Sequence, residues 1–344
     1  MKKQSKLLAL LLACAMTLAL SACGGNSATT STPAGSAAPA ASGSAAATGD
    51  KTYTIGICQL VQHNALDAAT KGFKDALTEK LGDKVKFDEQ NAAGDSATCA
   101  TICNQFVSSK VDLIMANATP ALQAATAATN SIPILGTSVT DYGTALSIAD
   151  WKGTTGTNVT GTADLAPLDK QAEMIKTLFP DKKNVGILYC SAEPNSKYQS
   201  TEITKYLTDA GYTCKEYTFA DSNDVAAVTK TACYESDVLY VPTDNTAASC
   251  AESINNIAEP AKVPIVAGES GICTGCGVAT LSIDYYDLGV VTGNMAYEVL
   301  VNGADPATTE IQFAPKTTYQ YMADRCEKLG VKVPSDYVAI EAEK

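Results

Sequence analysis

The sequence has one histidine, His63, one arginine, Arg325, and one tryptophan, Trp151. A hydrolase built on serine or cysteine needs a base beside its nucleophile, so a lone histidine leaves that chemistry little material. No G-x-S-x-G turn and no Walker phosphate loop occurs, which removes two further enzyme signatures. Basic residues are scarce: 25 Lys and Arg stand against 37 Asp and Glu, a net charge of −12. Without Lys2, Lys3 and Lys6 the balance is 22 against 37, or −15. Phosphate backbones demand the opposite sign, so nucleic acid is excluded as a partner. Past residue 20 no apolar run is long enough to span a bilayer.

The one long apolar run is at the start. Lys2, Lys3 and Lys6 precede Leu7–Leu20, and Ser21-Ala22-Cys23-Gly24 follow. A basic flank, a short apolar stretch and small residues at its end mark an export signal. The ending Leu-Ser-Ala-Cys resembles a bacterial lipobox. There the chain is cut before Cys23, whose sulfur takes lipid, and two or three acyl chains hold a protein on a membrane. The plainer alternative is a secretory signal with an incidental cysteine. Residues 24–50 are almost entirely Gly, Ser, Ala, Thr and Pro. Such a stretch has nothing to bury and reads as a flexible tether.

Of 12 cysteines, Cys14 leaves with the signal and Cys23 takes lipid. Cys99 and Cys103 are one helical turn apart, and Cys273-Thr274-Gly275-Cys276 is a CxxC. Disulfides, a metal and free thiols are all open readings. A structural zinc needs four ligands and only His63 could join the thiols. Reduced cysteines acting as small buried hydrophobes are favoured, with no metal and no cofactor.

From Thr52 strand-like and helix-like runs alternate. YTIGICQL is followed by a helical pattern over Asn64–Leu81, with Leu66, Ala69, Phe73, Ala76 and Leu77 on one face. VDLIM and IPIL are further strands. The order then recurs: YTIGICQ answers NVGILYC, VDLIMANATPA answers SDVLYVPTDNT, and SIPILGTSVTD answers KVPIVAGESG. Helices are expected over Leu165–Leu178 and, unbroken, over Thr246–Ala258. The fold class is α/β, with two similar Rossmann-like lobes around parallel sheets. The expected divisions are 1–22 signal peptide, 23–51 lipidated tether, 52–162 plus 285–313 first lobe, and 163–284 plus 314–344 second lobe. Ligands of open parallel sheets sit beyond the carboxyl ends of the strands. There lie Gln62-His63-Asn64, Asn117–Pro120, Thr137–Asp141, Ser191–Ser196, Thr243-Asp244-Asn245 and Gly268-Glu269-Ser270.

Eight stretches in order carry a specific likeness: HNALDAATKGF, NAAGD, NATPALQAA, SVTDYGTA, NVTGTADL, YCSAEPNS, VPTDNTAAS and IDYYDLGVVTGNMAYEVL. Over about Thr54–Pro334 the chain resembles ABC-transporter substrate-binding proteins of the type I periplasmic-binding fold, a family that includes binders of tryptophan and other aromatic amino acids. Gly271–Cys276 and the cysteine count depart from that pattern. The resemblance implies three crossing segments forming a hinge, near Val159–Leu165, Ile283–Tyr286 and Phe313–Thr318. It implies a small ligand that bridges the lobes and favours closure. It also implies an ABC permease with its ATPase subunits as partners, an extracytoplasmic, membrane-anchored monomer, and no enzymatic activity.

An amino acid presents a carboxylate and an ammonium. With Arg325 far from the motifs, backbone N–H groups and hydroxyls at helix starts must hold the anion. Thr119-Pro120 and Ser138-Val139-Thr140 are the places for this, though Thr119 also reads as a plain N-cap. Asp244, with Asp141, Asp164 and Glu193, is expected on the ammonium, against a competing capping role. Asn195, Ser196, Thr243 and Asn245 would fix orientation. Asp67 reads equally as contact or cap. Leu66, Tyr142, Tyr198 and Tyr285 are candidates for the apolar pocket. A sugar or nucleoside is the alternative ligand, with Trp151 as a stacking surface. A glycosidase using paired carboxylates is a more distant one.

The anchor predicts that Cys23→Ser moves the protein from the membrane fraction to the soluble fraction. Unchanged membrane association of that variant refutes it.

Overall fold

A computed structural model describes residues 51–341. The expected signal segment 1–22, the lipidation site Cys23 and the tether up to residue 50 lie outside the described residues. No described helix is long and apolar enough to cross a membrane.

The first sheet begins with β1 (Tyr53–Gln59), β2 (Val85–Asn91), β3 (Leu113–Asn117), β4 (Ile134–Val139) and β5 (Val159–Ala163), in the spatial order β2-β1-β3-β4-β5 and all parallel. The second begins with β6 (Asn184–Cys190), β7 (Thr213–Phe219), β8 (Val238–Val241), β9 (Ile265–Ala267) and β10 (Ala279–Ile283), in the order β7-β6-β8-β9-β10. The two orders are the same plan. Each reverses direction beside its first strand, and that switch point is where a doubly wound sheet opens a crevice. Strands such as LIMAN and VLYV are buried along their whole length because helices cover both sheet faces. Leu113 and Met115 face Phe73 and Leu77, while Ile114 between them packs with Phe106 and Leu122.

Three segments pass between the sheets. The chain leaves β5 for α5 (Leu168–Leu178), returns from β10 into α11 (Tyr285–Val301), and runs from β11 (Gln312–Phe313) to β12 (Thr317–Tyr321). β11 pairs with β5, whereas β12 pairs antiparallel with β10. α11 lies against α1 (Asn64–Leu81) at very close range. Gly72 and Gly289 make this possible: a Cβ on Gly72 would be 2.1 Å from the Tyr286 carbonyl, and one on Gly289 2.0 Å from that of Ala69.

Four features differ from expectation. The first helix of the second half starts at Leu168, not Leu165, because Pro167 is its N-cap residue. The helix expected over 246–258 is two, α8 (Asn245–Ser249) and α9 (Ala251–Ala258), since Cys250 leaves helical geometry at φ −110°, ψ 12°. Two short helices were not signalled, α4 (Tyr142–Leu146) and α10 (Ser270–Gly275). Asp141 and Glu269 make them by accepting the first free N–H groups. Arg325 finishes α10, donating to the carbonyls of Cys273, Thr274, Gly275 and Gly277. The sole arginine is thus a helix clamp.

The ten described cysteines are free thiols and eight are buried. Cys58, Cys99 and Cys103 share the core on one face of the first sheet. Cys273 and Cys276 pack under the second.

The glycine contact gives a prediction. Gly289→Ala must push α11 off α1, at about 1–3 kcal/mol for an overpacked site. This outweighs the gain of up to about 1 kcal/mol that alanine brings to an ordinary helix position. Thermal unfolding should occur several degrees lower. An unchanged or raised midpoint would show that the helices are not in this contact.

Candidate functional site

The site is built where strands end. At the end of β3, Asn117 is fully buried and donates 2.9 Å bonds to the Leu66 carbonyl and to Thr70. The next residue, Ala118, has φ +92°, which a side chain rarely tolerates. This turn starts α3 (Thr119–Ala128) with Pro120 in its first turn. Thr119 is 2% exposed and its hydroxyl has no partner among the described residues. At the end of β4, Ser138 repeats the pattern, with φ +53° and a buried, unpartnered hydroxyl. Buried polar atoms are nearly always paired, so two orphans beside two strained residues mark a prepared polar surface.

The second half contributes a tighter network at α6 (Pro194–Asp209) and α8. Glu193 accepts from the backbone N–H groups of Asn245 and Thr246, from their side chains, and from Asn195. Asp244 caps α8 through Ala247 N–H at 2.7 Å, and also accepts from Cys190 N–H and the Ser196 hydroxyl. Burial, followed by the charge of Glu193, raises the Asp244 carboxyl to about 8. The carbonyl oxygen of the Asn195 side chain is buried and unpartnered. Gln199 holds the Thr243 backbone in place on both its N–H and its carbonyl.

Two hydrogen bonds join the halves directly. His63 lies 3.3 Å from the Asn245 side-chain oxygen. Asn245 uses its amide N–H on Glu193, so its oxygen faces His63 and the imidazole Nε2–H donates. Burial lowers the His63 pKa, which keeps it neutral. Gln199 donates to Thr140 at 3.5 Å. Two cavities open between the halves. One, of about 290 Å³, lies between Val61, Pro120 and Glu193. The other, of about 370 Å³, lies between Asn64, Glu252 and Gly271.

At the hinge Asp164 is 3% exposed. It accepts from Thr140 at 3.1 Å and from the Tyr285 hydroxyl at 2.9 Å, which ties two crossing segments together. Burial raises its carboxyl to about 6. Glu269, 2% exposed, is close enough for the charge of Asp164 to act on it, and burial first raises it to about 7.

Thr119, Pro120, Ser138, Thr140, Asp164, Glu193, Asn195, Ser196, Thr243, Asp244, Asn245 and Tyr285 therefore lie at the strand ends and crossings. Others lie elsewhere. Leu66 packs in the core of the first half. Asp67 accepts from Gln59 at 2.6 Å beside a surface hollow with Lys71 and Lys74. Asp141 is half-buried and caps α4 through Thr144 N–H. Tyr142 sends its hydroxyl to the Thr162 carbonyl and stacks on Trp151, with centroids 6.2 Å apart. Trp151 thus has one face covered. Tyr198 is half-buried, within reach of the charge of Asp141. Sequence reasoning missed Gln199 and the weight of Glu269. Gln199 sits mid-helix with no motif signal; Glu269 was visible only as part of a polar cluster.

The chain matches the family described as ABC transporter substrate binding protein over residues 54–344. A tyrosine-binding protein of Clostridioides difficile is 41% identical over 265 residues, 75% of this chain and 76% of that one. The structure of an ABC domain in complex with L-Trp from Streptococcus pneumoniae is 33% identical, covers 84% of this chain and all of its own, and has a TM-score of 0.81. The ligand-free, open structure of a substrate-binding protein with adhesive properties from Clostridium difficile is 36% identical over 85% of this chain and all of its own, yet scores 0.65. Higher identity with lower overlap is expected when two halves of one fold differ in opening angle, and here the halves touch. The chain belongs to the ABC transporter substrate-binding proteins, with the type I periplasmic-binding fold, which work outside the cytoplasm and bring a small molecule to a permease with its ATPase.

Proposed function

We propose that this receptor takes an aromatic amino acid between its halves and delivers it to its permease. We also propose that it does so without catalysis, as a monomer held to the membrane through lipid on Cys23 and the 23–51 tether. The lobes are taken as 52–162 plus 285–313 and 163–284 plus 314–344; the pairing of β11 with β5 and of β12 with β10 supports this division. The relatives that bind tyrosine and L-Trp support the ligand class.

The observation that carries the reading is Asp164, buried at the hinge without a cation. Asp164 and Glu269 meet only hydroxyl and backbone donors. A carboxylate has room for about four donors. Glu193 already takes five donors and Asp244 three, all from the second half. Asp164 takes two. We therefore place the ligand ammonium at Asp164 beside Tyr285. Asp244, Glu193, Asn245 and Ser196 then form the wall behind it and Asn195, Thr243 and Pro120 its rim. The ligand carboxylate goes to the prepared surface of Thr119, Ser138 and Thr140, where N–H groups at the start of α3 add donors. His63 is engaged with Asn245 and has no nucleophile to activate. The stacking of Trp151 on Tyr142 occupies one of the two ring faces that a sugar could use.

A thermal-shift panel of the twenty amino acids, common sugars and nucleosides tests this. A ligand at 100 times its Kd adds about 2.7 kcal/mol. Tyrosine, phenylalanine or tryptophan should give the largest rise. Asp164→Asn should weaken that ligand at least about tenfold, given roughly 1.5–3 kcal/mol for a hydrogen bond to a charged group, while its ligand-free midpoint is kept. A sugar or nucleoside giving the largest rise would overturn the amino-acid reading.

A further inference from the structure

We infer that His63 is a positioning residue for the closed receptor: its imidazole N–H latches the first half to Asn245 of the second, and so sets how long ligand is held without touching it. The inference rests on the reading that an aromatic amino acid is enclosed between the halves.

The position is one that normally serves its own helix. His63 is the residue before α1, extended at φ −164°, ψ 163°, and its side chain makes no cap bond. Asp141, Asp244, Glu269 and Asp284 stand in the same position before α4, α8, α10 and α11, and each accepts from free N–H groups of its own helix. A histidine gives α1 no such benefit. Its ring serves the other half instead. Nε2 lies 3.3 Å from the Asn245 side-chain oxygen, while Nδ1 is buried with no partner among the described residues. A side chain that stabilised the first half alone would bond within it. Apart from its chain neighbours Gln62 and Asn64, the cavity of about 370 Å³ that His63 lines is walled by α8, α9 and α10 of the second half.

The receiving group is anchored. The backbone N–H and the side-chain N–H of Asn245 both donate to Glu193, at 3.0 and 2.7 Å, which fixes the way the amide faces. Its oxygen is left for a donor from outside the second half, and His63 is that donor. The other direct contact between the halves, Gln199 to Thr140 at 3.5 Å, is longer than a good hydrogen bond. The consequence is kinetic. Ligand enters while the halves are apart, so a bond made on closure leaves the association rate alone. Ligand leaves only after the halves part, and the bond must break first. Its worth, about three- to tenfold for one net hydrogen bond, therefore appears in the dissociation rate.

Amide side chains test the reach. Glutamine places its nitrogen near where Nε2 lies; asparagine places one only near Nδ1, and is also a good capping residue. Isothermal titration and stopped-flow mixing of the mature protein with tyrosine, phenylalanine and tryptophan give affinity and rates. His63→Asn should raise the dissociation rate and the Kd about three- to tenfold, with the association rate within about twofold of wild type. Its ligand-free melting midpoint should stay level or rise, which separates a lost latch from a damaged fold. His63→Gln should keep the Kd within about twofold of wild type. In an Asn245→Ala background, His63→Asn should cost nothing further, because the two residues act as one pair. Unchanged dissociation in His63→Asn, or costs that add in the double variant, overturn the latch and leave the amino-acid reading standing. No binding of any of the three amino acids to the wild type overturns both.

Discussion

The bond from Tyr285 to Asp164 is the constraint on which the rest of the site depends. It joins two of the three crossing segments at 2.9 Å, and the buried Asp164 carboxyl meets hydroxyls and no basic side chain. A buried carboxylate of this kind is costly unless donors or a cation meet it. The chain supplies two hydroxyls there and uses its only arginine elsewhere, on α10. What the protein withholds, a cationic ligand can provide. On the proposed reading, charge deficiency at the hinge is a recognition device as well as a cost to the fold, and functional sites are where such costs are kept.

The surrounding architecture makes that device act between two bodies. Both sheets run through the same order and turn at the same place, so each half carries an equivalent crevice. The first half brings unpartnered hydroxyls on a strained backbone at Ser138 and beside Ala118. The second brings a dense network in which Glu193 and Asp244 hold α8 and Asn245. Asn245 then meets His63 across the gap. On the proposed reading a ligand is gripped by groups that come together when the halves meet, which would convert binding energy into a shape that a partner can read.

Much of the fold was legible because it is written in periodicity. The apolar face of Asn64–Leu81 and the buried runs LIMAN and VLYV announce a covered parallel sheet, and the paired motifs announce its repetition. The clusters at strand ends were legible for the same reason, since topology alone puts residues such as Thr119, Ser138 and Asn245 there. What the sequence concealed depends on three-dimensional partners. Asp244 carries the same letters whether it caps a helix or meets an ammonium, and only Cys190, Ser196 and Ala247 around it show that most of its acceptor capacity is taken. α10 forms because Glu269 and Arg325 close its two ends from 56 residues apart in the chain, which no local pattern reveals. The break at Cys250 has no glycine or proline to mark it. Trp151 looked free to stack until Tyr142 was found against it.

The central claim is that the hinge acid receives the cationic end of the ligand. A crystal structure of the protein with tyrosine bound tests it most directly. The account requires the amino nitrogen at hydrogen-bond distance, about 3 Å, from an Asp164 carboxyl oxygen, with the ligand carboxylate turned towards Thr119 and Ser138. A ligand whose nitrogen lies away from both Asp164 and Glu269, or whose carboxylate occupies that hinge pocket, would contradict it.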